Sequence, residues 1–280
     1  MKLDIVFTVV LYNKRVSNSS TVISLIKNFS QKCNSKLIIW NNGKLCCDFD
    51  GIDFETIEVE LIDHRGNESL AKIYNTIIDG FNSDKYVFFD DDSNVNKQYL
   101  DDIFFANKFN TCIPIITAES NIISPTVLKG DLKLGNIDND TMLQGIGSGL
   151  VLSRYIIERI KVIQDLVFDE RFYLYGVDTV FFNTLFSLKE STYITVIRGF
   201  EHDLSRLNNN NNSYFRVKER SYAFGLYCRY YPSFINLKNL LLLSIKATYK
   251  NDELYNLKYV YKAIVSGKHY RNVNHETQIK

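Results

Sequence analysis

Tyr86-Val87-Phe88-Phe89-Asp90-Asp91-Asp92-Ser93 decides how the chain reads, because three carboxylates follow directly on an apolar and aromatic run. The run reads as a buried strand, and such a strand must emerge into something soluble. Three adjacent carboxylates exceed that need. They repel one another, and a divalent cation with a preference for oxygen ligands, Mg2+ or Mn2+, relieves the repulsion. Their position is that of a ligand site at the carboxyl end of a strand in an open α/β sheet. A solvated turn that caps a helix over 97–108 is the structural alternative.

On the amino-terminal side of this stretch, strand and helix patterns alternate. Residues 5–11 are continuously apolar, 22–29 have helical spacing, and 36–40 are apolar again before Asn41-Asn42-Gly43. A strand is expected at 57–62 and a helix at 69–81, with Leu70, Ile73, Tyr74, Ile77 and Ile78 on one face. The order predicts a βαβαβαβ nucleotide-binding pattern whose right-handed crossovers bring the loop ends to one sheet edge. Beyond the triplet, a strand or two is expected in 110–124, then the glycine-rich turn Gly145-Ile146-Gly147-Ser148-Gly149. A strand at 150–153 and a helix at 155–162 follow. Residues 168–186 start as a loop and turn helical near Asp178, and a strand at 193–200 precedes His202.

The run of five asparagines at 208–212 reads as a surface linker. The expected division is a catalytic domain over 1–207, an Asn-rich linker at 208–213 and a helical appendage over 214–280.

The 280 residues, 45% hydrophobic, are enough for a full core. Thirty-three Lys and Arg against 32 Asp and Glu leave a formal charge of +1, so no global basic field draws the protein to nucleic acid. The five cysteines are odd in number and their only close pair, Cys46-Cys47, is adjacent; this suits neither a disulfide framework nor a C-x-x-C metal site and points to a reducing compartment. The first residues lack the basic start and cleavage site of a signal peptide, and no apolar run reaches the roughly 18 residues of a membrane span. A cytoplasmic location is the expectation.

Several loops offer chemistry that plain structure would also explain. Tyr12 and Asn13 end the first strand and Asn41 ends the second; the amides of Asn13 and Asn41 fit a nucleobase edge or ordinary turn bonding. Arg65, Asn67 and Asn75 surround the start of the helix at 69–81, where a diphosphate is favoured, though capping accounts for them too.

Taken in order, these segments resemble the family 2 glycosyltransferases of the GT-A fold, a Rossmann-like mixed sheet flanked by helices, and among them the bacterial rhamnosyltransferase-like enzymes. The resemblance covers about residues 3–205. It rests on Val9-Val10-Leu11-Tyr12-Asn13, Asn41-Asn42-Gly43, Gly66-Asn67 with Ala71 and Asn75, and Phe89-Asp90-Asp91-Asp92-Ser93 at the D-x-D position. It continues through Gly145 to Leu150, Phe168-Asp169-Glu170-Arg171-Phe172, Tyr175-Gly176-Val177-Asp178-Thr179 and His202-Asp203-Leu204.

The resemblance implies an inverting hexosyl transfer from a nucleotide-diphosphate donor, dTDP-rhamnose or a UDP-sugar, to a saccharide or lipid-linked acceptor in surface polysaccharide (O-antigen or capsule) synthesis. A base must take the acceptor's proton and the leaving diphosphate must be neutralised. Asp178 fits the first task. Asp92 and Asp90, completed by His202, fit the second through Mn2+ or Mg2+. Tyr12, Asn13, Asn41, Arg65, Asn67, Asn75, Asp90, Asp91 and Gly147 are the expected donor-binding residues, with Asp91 turned to the opposite side by strand alternation. Two departures stand out: Asn41 replaces the family's base-contacting Asp, and its acidic pair is reduced to Val177-Asp178. A nucleotide-sugar-binding module without catalysis and a metal-dependent nucleotidyltransferase are the rivals.

The appendage mixes Arg216, Lys218, Arg220, Arg229 and Lys238 with Tyr214, Phe215, Tyr222, Phe224, Tyr227, Tyr230 and Tyr231. That composition suits a surface lying on the anionic inner face of the cell membrane through 214–265, and equally packing against the catalytic domain or the second subunit of a homodimer.

Overall fold

The computed structural model describes residues 2–30, 33–49, 51–202, 213–249 and 254–272. The asparagine run and the motif residues Asp203 and Leu204 lie outside them. Contacts divide the chain into two units. The first comprises Met1–Glu68, Ile73–Val167 and Phe181–Leu204; the second comprises Ser69–Lys72, Phe168–Val180 and Ser205–Lys280.

The chain opens with β1 (Leu3–Leu11), α1 (Ser20–Asn28), β2 (Ser35–Asn41), β3 (Glu58–Asp63), α2 (Leu70–Gly80) and β4 (Ser83–Asp90). These strands form a parallel sheet in the order β3-β2-β1-β4. Their register sets Leu11 opposite Asn41, Asn41 opposite Asp63 and Val10 opposite Asp90, so four strand ends share one edge. This is the expected sheet, with one correction: the described residues between β2 and β3 form no helix. The described residues of 42–57 carry no helical apolar stripe, and buried Cys47 and Ile57, with Phe54 against the core, fill the place of a crossover helix.

The chain continues with β5 (Ser93–Asn94), α3 (Lys97–Phe105), β6 (Thr111–Ala118), β7 (Asn121–Ser124), β8 (Thr126–Lys129), β9 (Gly135–Asn136), β10 (Met142–Gln144) and β11 (Leu150–Ser153). Then come α4 (Arg154–Ile163), α5 (Val177–Ser187) and β12 (Ile194–His202). β11 runs antiparallel between β4 and β6, β12 lies parallel to β6, and β5 closes the far side, so the sheet is mixed but mostly parallel.

Period 2 explains the two-sided burial of β1. Phe7, Val9 and Leu11 face one way with Leu37, Ile39, Val87 and Phe89, where Val22 and Leu25 of α1 and Tyr99, Leu100 and Ile103 of α3 cover them. On the other face Tyr74 stacks on Phe88 with centroids 4.2 Å apart. Each such buried aliphatic or aromatic side chain contributes about 1.5–3 kcal/mol.

The second unit holds α6 (Tyr214–Tyr230), α7 (Phe234–Tyr249) and α8 (Leu257–Ser266). α6 and α8 meet at Gly225, where a Cβ would overlap the Val260 carbonyl oxygen, so only glycine permits this approach. Several basic and aromatic residues of α6 make contacts within the second unit, while Tyr214 and Phe215 stay exposed. Tyr222 is 2% exposed, Lys218 lies 3.9 Å from the Tyr270 ring, Arg220 lies over Tyr175 and Arg229 donates to the Val265 carbonyl at 3.1 Å.

Residues 69–72 and 168–180 belong to the same unit as these helices. Asp169 accepts from Tyr231 Oη at 2.6 Å, Arg171 lies 3.7 Å from the Tyr230 ring, and Leu70 N donates to the Tyr173 carbonyl at 2.9 Å. Burial pushes the Asp169 carboxyl up, but hydrogen bonds from Arg171 and Tyr231 outweigh it and hold the group below the usual carboxylate range.

His269 is 1% exposed and stacks on Tyr173 at 4.5 Å. Burial, reinforced by the charges of Arg271 and Lys218, pushes its imidazole down from 6.5 to about 3. The 3.8 Å approach to Glu219 is therefore not an ion pair at neutral pH. Folded His269 stays neutral where the unfolded chain binds a proton, so its contribution is complete above pH 6.5 and declines as pH falls toward 3. At pH 5 the expected loss is about 2 kcal/mol. Glu219, raised by burial, acts in the opposite sense: its contribution is lost as pH rises through its folded pKa. Urea unfolding at pH 7 and 5, wild type against His269→Gln, isolates the histidine term. The same pH slope in both proteins would refute it.

Candidate active site

β4 delivers Asp90 to the sheet edge, and the turn that follows it carries Asp91 and Asp92. Asp91 is 3% exposed; its Oδ1 accepts from Lys14 Nζ at 2.8 Å and its carbonyl from Ser19 Oγ at 3.0 Å. Expected among the donor-binding residues, it instead anchors the loop and has little surface left for a ligand. Thr21 Oγ1 donates to the Asp90 carbonyl at 2.6 Å and accepts from Ser93 N at 2.8 Å. The start of α1 thus holds both sides of the triplet.

Asp90 and Asp92 come together with His202, each offering one ligand atom within 4.8 Å of the others. His202 Nε2 lies 3.7 Å from Asp92 Oδ1. The imidazole arrives because β12 pairs antiparallel with β5, setting His202 opposite Ser93. Ser93 Oγ lies 3.1 Å from His202 Nδ1 and 2.8 Å from Ser148 Oγ, which accepts from Asp90 N at 3.2 Å. A donating Nδ1 leaves the Nε2 lone pair for a cation. Two carboxylates and one imidazole suit Mn2+ better than Mg2+, which prefers oxygen alone.

β12 reaches this geometry through a bulge. Its register with β6 passes from Arg198 opposite Ile115 to Glu201 opposite Thr117, three residues against two. Gly199 lies inside the bulge, where a Cβ would overlap the Ile115 carbonyl oxygen. Gly199→Ala is expected to cost about 3 kcal/mol. An unchanged urea midpoint would remove this explanation for the glycine.

The other strand ends build the rest of the edge. Tyr12 is 49% exposed. Asn13, at φ 51°, accepts from Lys44 N at 2.8 Å, and Gly43 packs so closely on Asn13 N that a Cβ would overlap it. Asn41, expected to read the base, is 1% exposed. Its Nδ2 donates to the Leu45 carbonyl at 2.7 Å and to Asp63 Oδ1 at 2.6 Å, and its Oδ1 accepts from Gly43 N at 3.1 Å. It staples a loop and has little capacity left for a nucleobase. Asp63, missed in the sequence, supplies a carboxylate one strand away and pairs with exposed Arg65. Hydrogen bonds from Arg65 and Asn41 hold the Asp63 carboxyl below the usual range. Its position at the end of an expected strand was the only signal.

Asn42 exchanges bonds with Glu68, donating to its carbonyl at 2.9 Å and accepting from its N–H at 2.7 Å, which sets the loop carrying Arg65 and Asn67 at positive φ. Asn75 is 4% exposed on α2. In the glycine turn, Gly147 is buried and accepts from Leu150 N at 3.1 Å. Gly149, at φ 78°, packs on Phe200 with no room for a Cβ. Ser93 and Ser148 were legible only as parts of motifs, not as partners.

Asp178 belongs to the second unit and stands half-buried in the first turn of α5. The turn before it requires Gly176, which has φ 88° and would place a Cβ against the Phe172 ring. Val177, just before Asp178, is 1% exposed, so a carboxylate there would be buried.

No protein-family model and no curated protein matches the chain. Among solved structures it is similar to TarS of S. aureus, with a TM-score of 0.53 at 11% identity over 94% of this chain and 54% of that one. The chain thus spans about half the length of the TarS structure. S. aureus TarS 1-349 in complex with UDP-GlcNAc gives 0.45 at 11% identity, covering 89% and 74% of the two chains. GalNAc-T7 with UDP, GalNAc and Mn2+ gives 0.47 at 11% identity, covering 94% and 57%. The first likeness is one of fold, the GT-A arrangement of a mostly parallel sheet between helices.

Proposed function

We propose that the chain is a metal-dependent glycosyltransferase that moves a sugar from a nucleoside-diphosphate donor to a saccharide or lipid-linked hydroxyl with inversion. The observation that carries this reading is the Asp90, Asp92 and His202 cluster at the carboxyl edge of the sheet. Asp90, Asp92 and His202 would hold the cation, which when bound neutralises diphosphate oxygens. Ser93 and Ser148 fix the imidazole and the Asp90 backbone, so the donor set needs little rearrangement. Tyr12 offers an exposed ring on which a nucleobase stacks, and Arg65 offers a cation to the donor. Asp178 takes the acceptor proton as the new glycosidic bond forms. The rhamnosyl donor and a place in bacterial surface polysaccharide synthesis rest on the sequence resemblance alone.

Product analysis with UDP-, GDP- and dTDP-sugars tests the reading. Free nucleoside diphosphate and a product of inverted anomeric configuration support it. Pyrophosphate would identify a nucleotidyltransferase, and ligand-induced thermal stabilisation without any product would identify a binding module.

A further inference from the structure

α7 carries an apolar face left exposed among the described residues of the second unit. Phe234, Leu241, Leu242 and Ile245 are 83%, 61%, 52% and 49% exposed. At 3.6 residues per turn they fall within an arc of about 100°, with Lys238 in its middle. The opposite side is fixed inward. Leu243 and Asn236 are buried, Asn236 Nδ2 donates to the Tyr231 carbonyl at 2.8 Å, and Ser244 Oγ lies 3.1 Å from Tyr261 Oη on α8. The helix therefore cannot roll its apolar face into the core.

Charge selects the occupant. The described residues 213–249 and 254–272 hold ten lysines and arginines but one acidic residue, Glu219, which is 1% exposed, while the whole chain carries a formal +1. A second copy meeting this face with its own would set Lys238 and Lys246 against their like, with no acid on α7 to compensate. An anionic bilayer supplies both the apolar phase and the opposite charge. Sixteen helical residues extend about 24 Å, short of a bilayer core, and no described helix is long and apolar enough to cross a membrane.

We propose that α7 is an in-plane membrane-binding helix that docks on an anionic lipid surface. Phe234, Leu241, Leu242 and Ile245 enter the acyl boundary. The stem of Lys238 lies along this apolar strip while its ammonium reaches the lipid phosphates, with Lys246 near them on the exposed side. The proposal stands on α7 alone and is independent of the reaction proposed above.

Sedimentation of the full chain with vesicles tests it. Binding to phosphatidylcholine vesicles containing about 30% phosphatidylglycerol at low salt is expected to exceed binding to pure phosphatidylcholine by about tenfold or more, and to weaken in 1 M salt. The triple variant Leu241→Gln, Leu242→Gln, Ile245→Gln should bind about tenfold or more weaker at an unchanged melting temperature, as should Lys238→Glu. A Phe234→Trp probe, which leaves the face apolar, should blue-shift on the anionic vesicles and serves should the triple variant fail to fold. Equal binding to neutral vesicles, no binding at low salt, or no spectral shift would overturn the proposal. So would a concentration-dependent dimer that the triple variant dissociates while the parent chain ignores vesicles.

Discussion

An Asp92→Asn variant is expected to lose about 10³-fold in transfer rate and to bind Mn2+ far more weakly in titration calorimetry. Asp92 meets His202 across 3.7 Å and belongs to the one Asp-Asp-His cluster seen among the described residues. Converting it to an amide removes a charged ligand from a set of three. Loss of a group that stabilises developing charge costs about 10²–10³ in rate, and loss of the cation removes more than one such contact. Ser93→Ala should produce a milder version of the same defect. Ser93 touches His202 Nδ1 at 3.1 Å and would not touch the ion, and partners of this kind are worth about 10–100-fold in metal affinity. The ordering Asp92→Asn, then Ser93→Ala, then wild type is the signature to seek. Activity that survives EDTA together with a silent Asp92→Asn would dismiss the cation role.

Replacing Asp178 by asparagine is expected to lower turnover by about 10²–10⁴-fold while leaving Mn2+ binding as it was. The asparagine preserves the side-chain volume in the first turn of α5 but cannot take a proton. A merely structural Asp178 would lower the melting temperature on mutation and leave turnover per folded molecule intact. Glu170 and Asp169 are poor substitutes for the base. Asp169 is occupied by Arg171 and Tyr231, and Glu170 belongs to the same short turn rather than to a helix start. Unchanged turnover in Asp178→Asn would remove the base assignment without touching the metal assignment, so the two experiments fail separately.

Local pattern made a large part of this molecule legible. An apolar run ending in three aspartates reads as a strand reaching the sheet edge, and period 2 predicts Asp90 and Asp92 on the side opposite Asp91. The helix stripe from Leu70 to Ile78 and the glycine turn at 145–149 follow from equally local rules. Where local rules were silent, the reading was incomplete. The segment 42–57 has no periodicity, and only its packing shows that a parallel crossover can do without a helix. Asn41 reads as an available amide in the sequence, yet its hydrogen bonds go to Asp63 and Leu45, 22 and 4 residues away.

By itself, then, the sequence determined the strands, their sheet edge and the carboxylates gathered there, because alternation and apolar spacing act over a few residues. The resemblance implied that His202 joins the triplet, but tertiary structure alone decided how it gets there, through a β-bulge at Gly199 and a pairing with Ser93 across 109 residues. It also decided which side of α7 is left uncovered: an apolar residue looks the same in the sequence whether a neighbouring helix covers it or not.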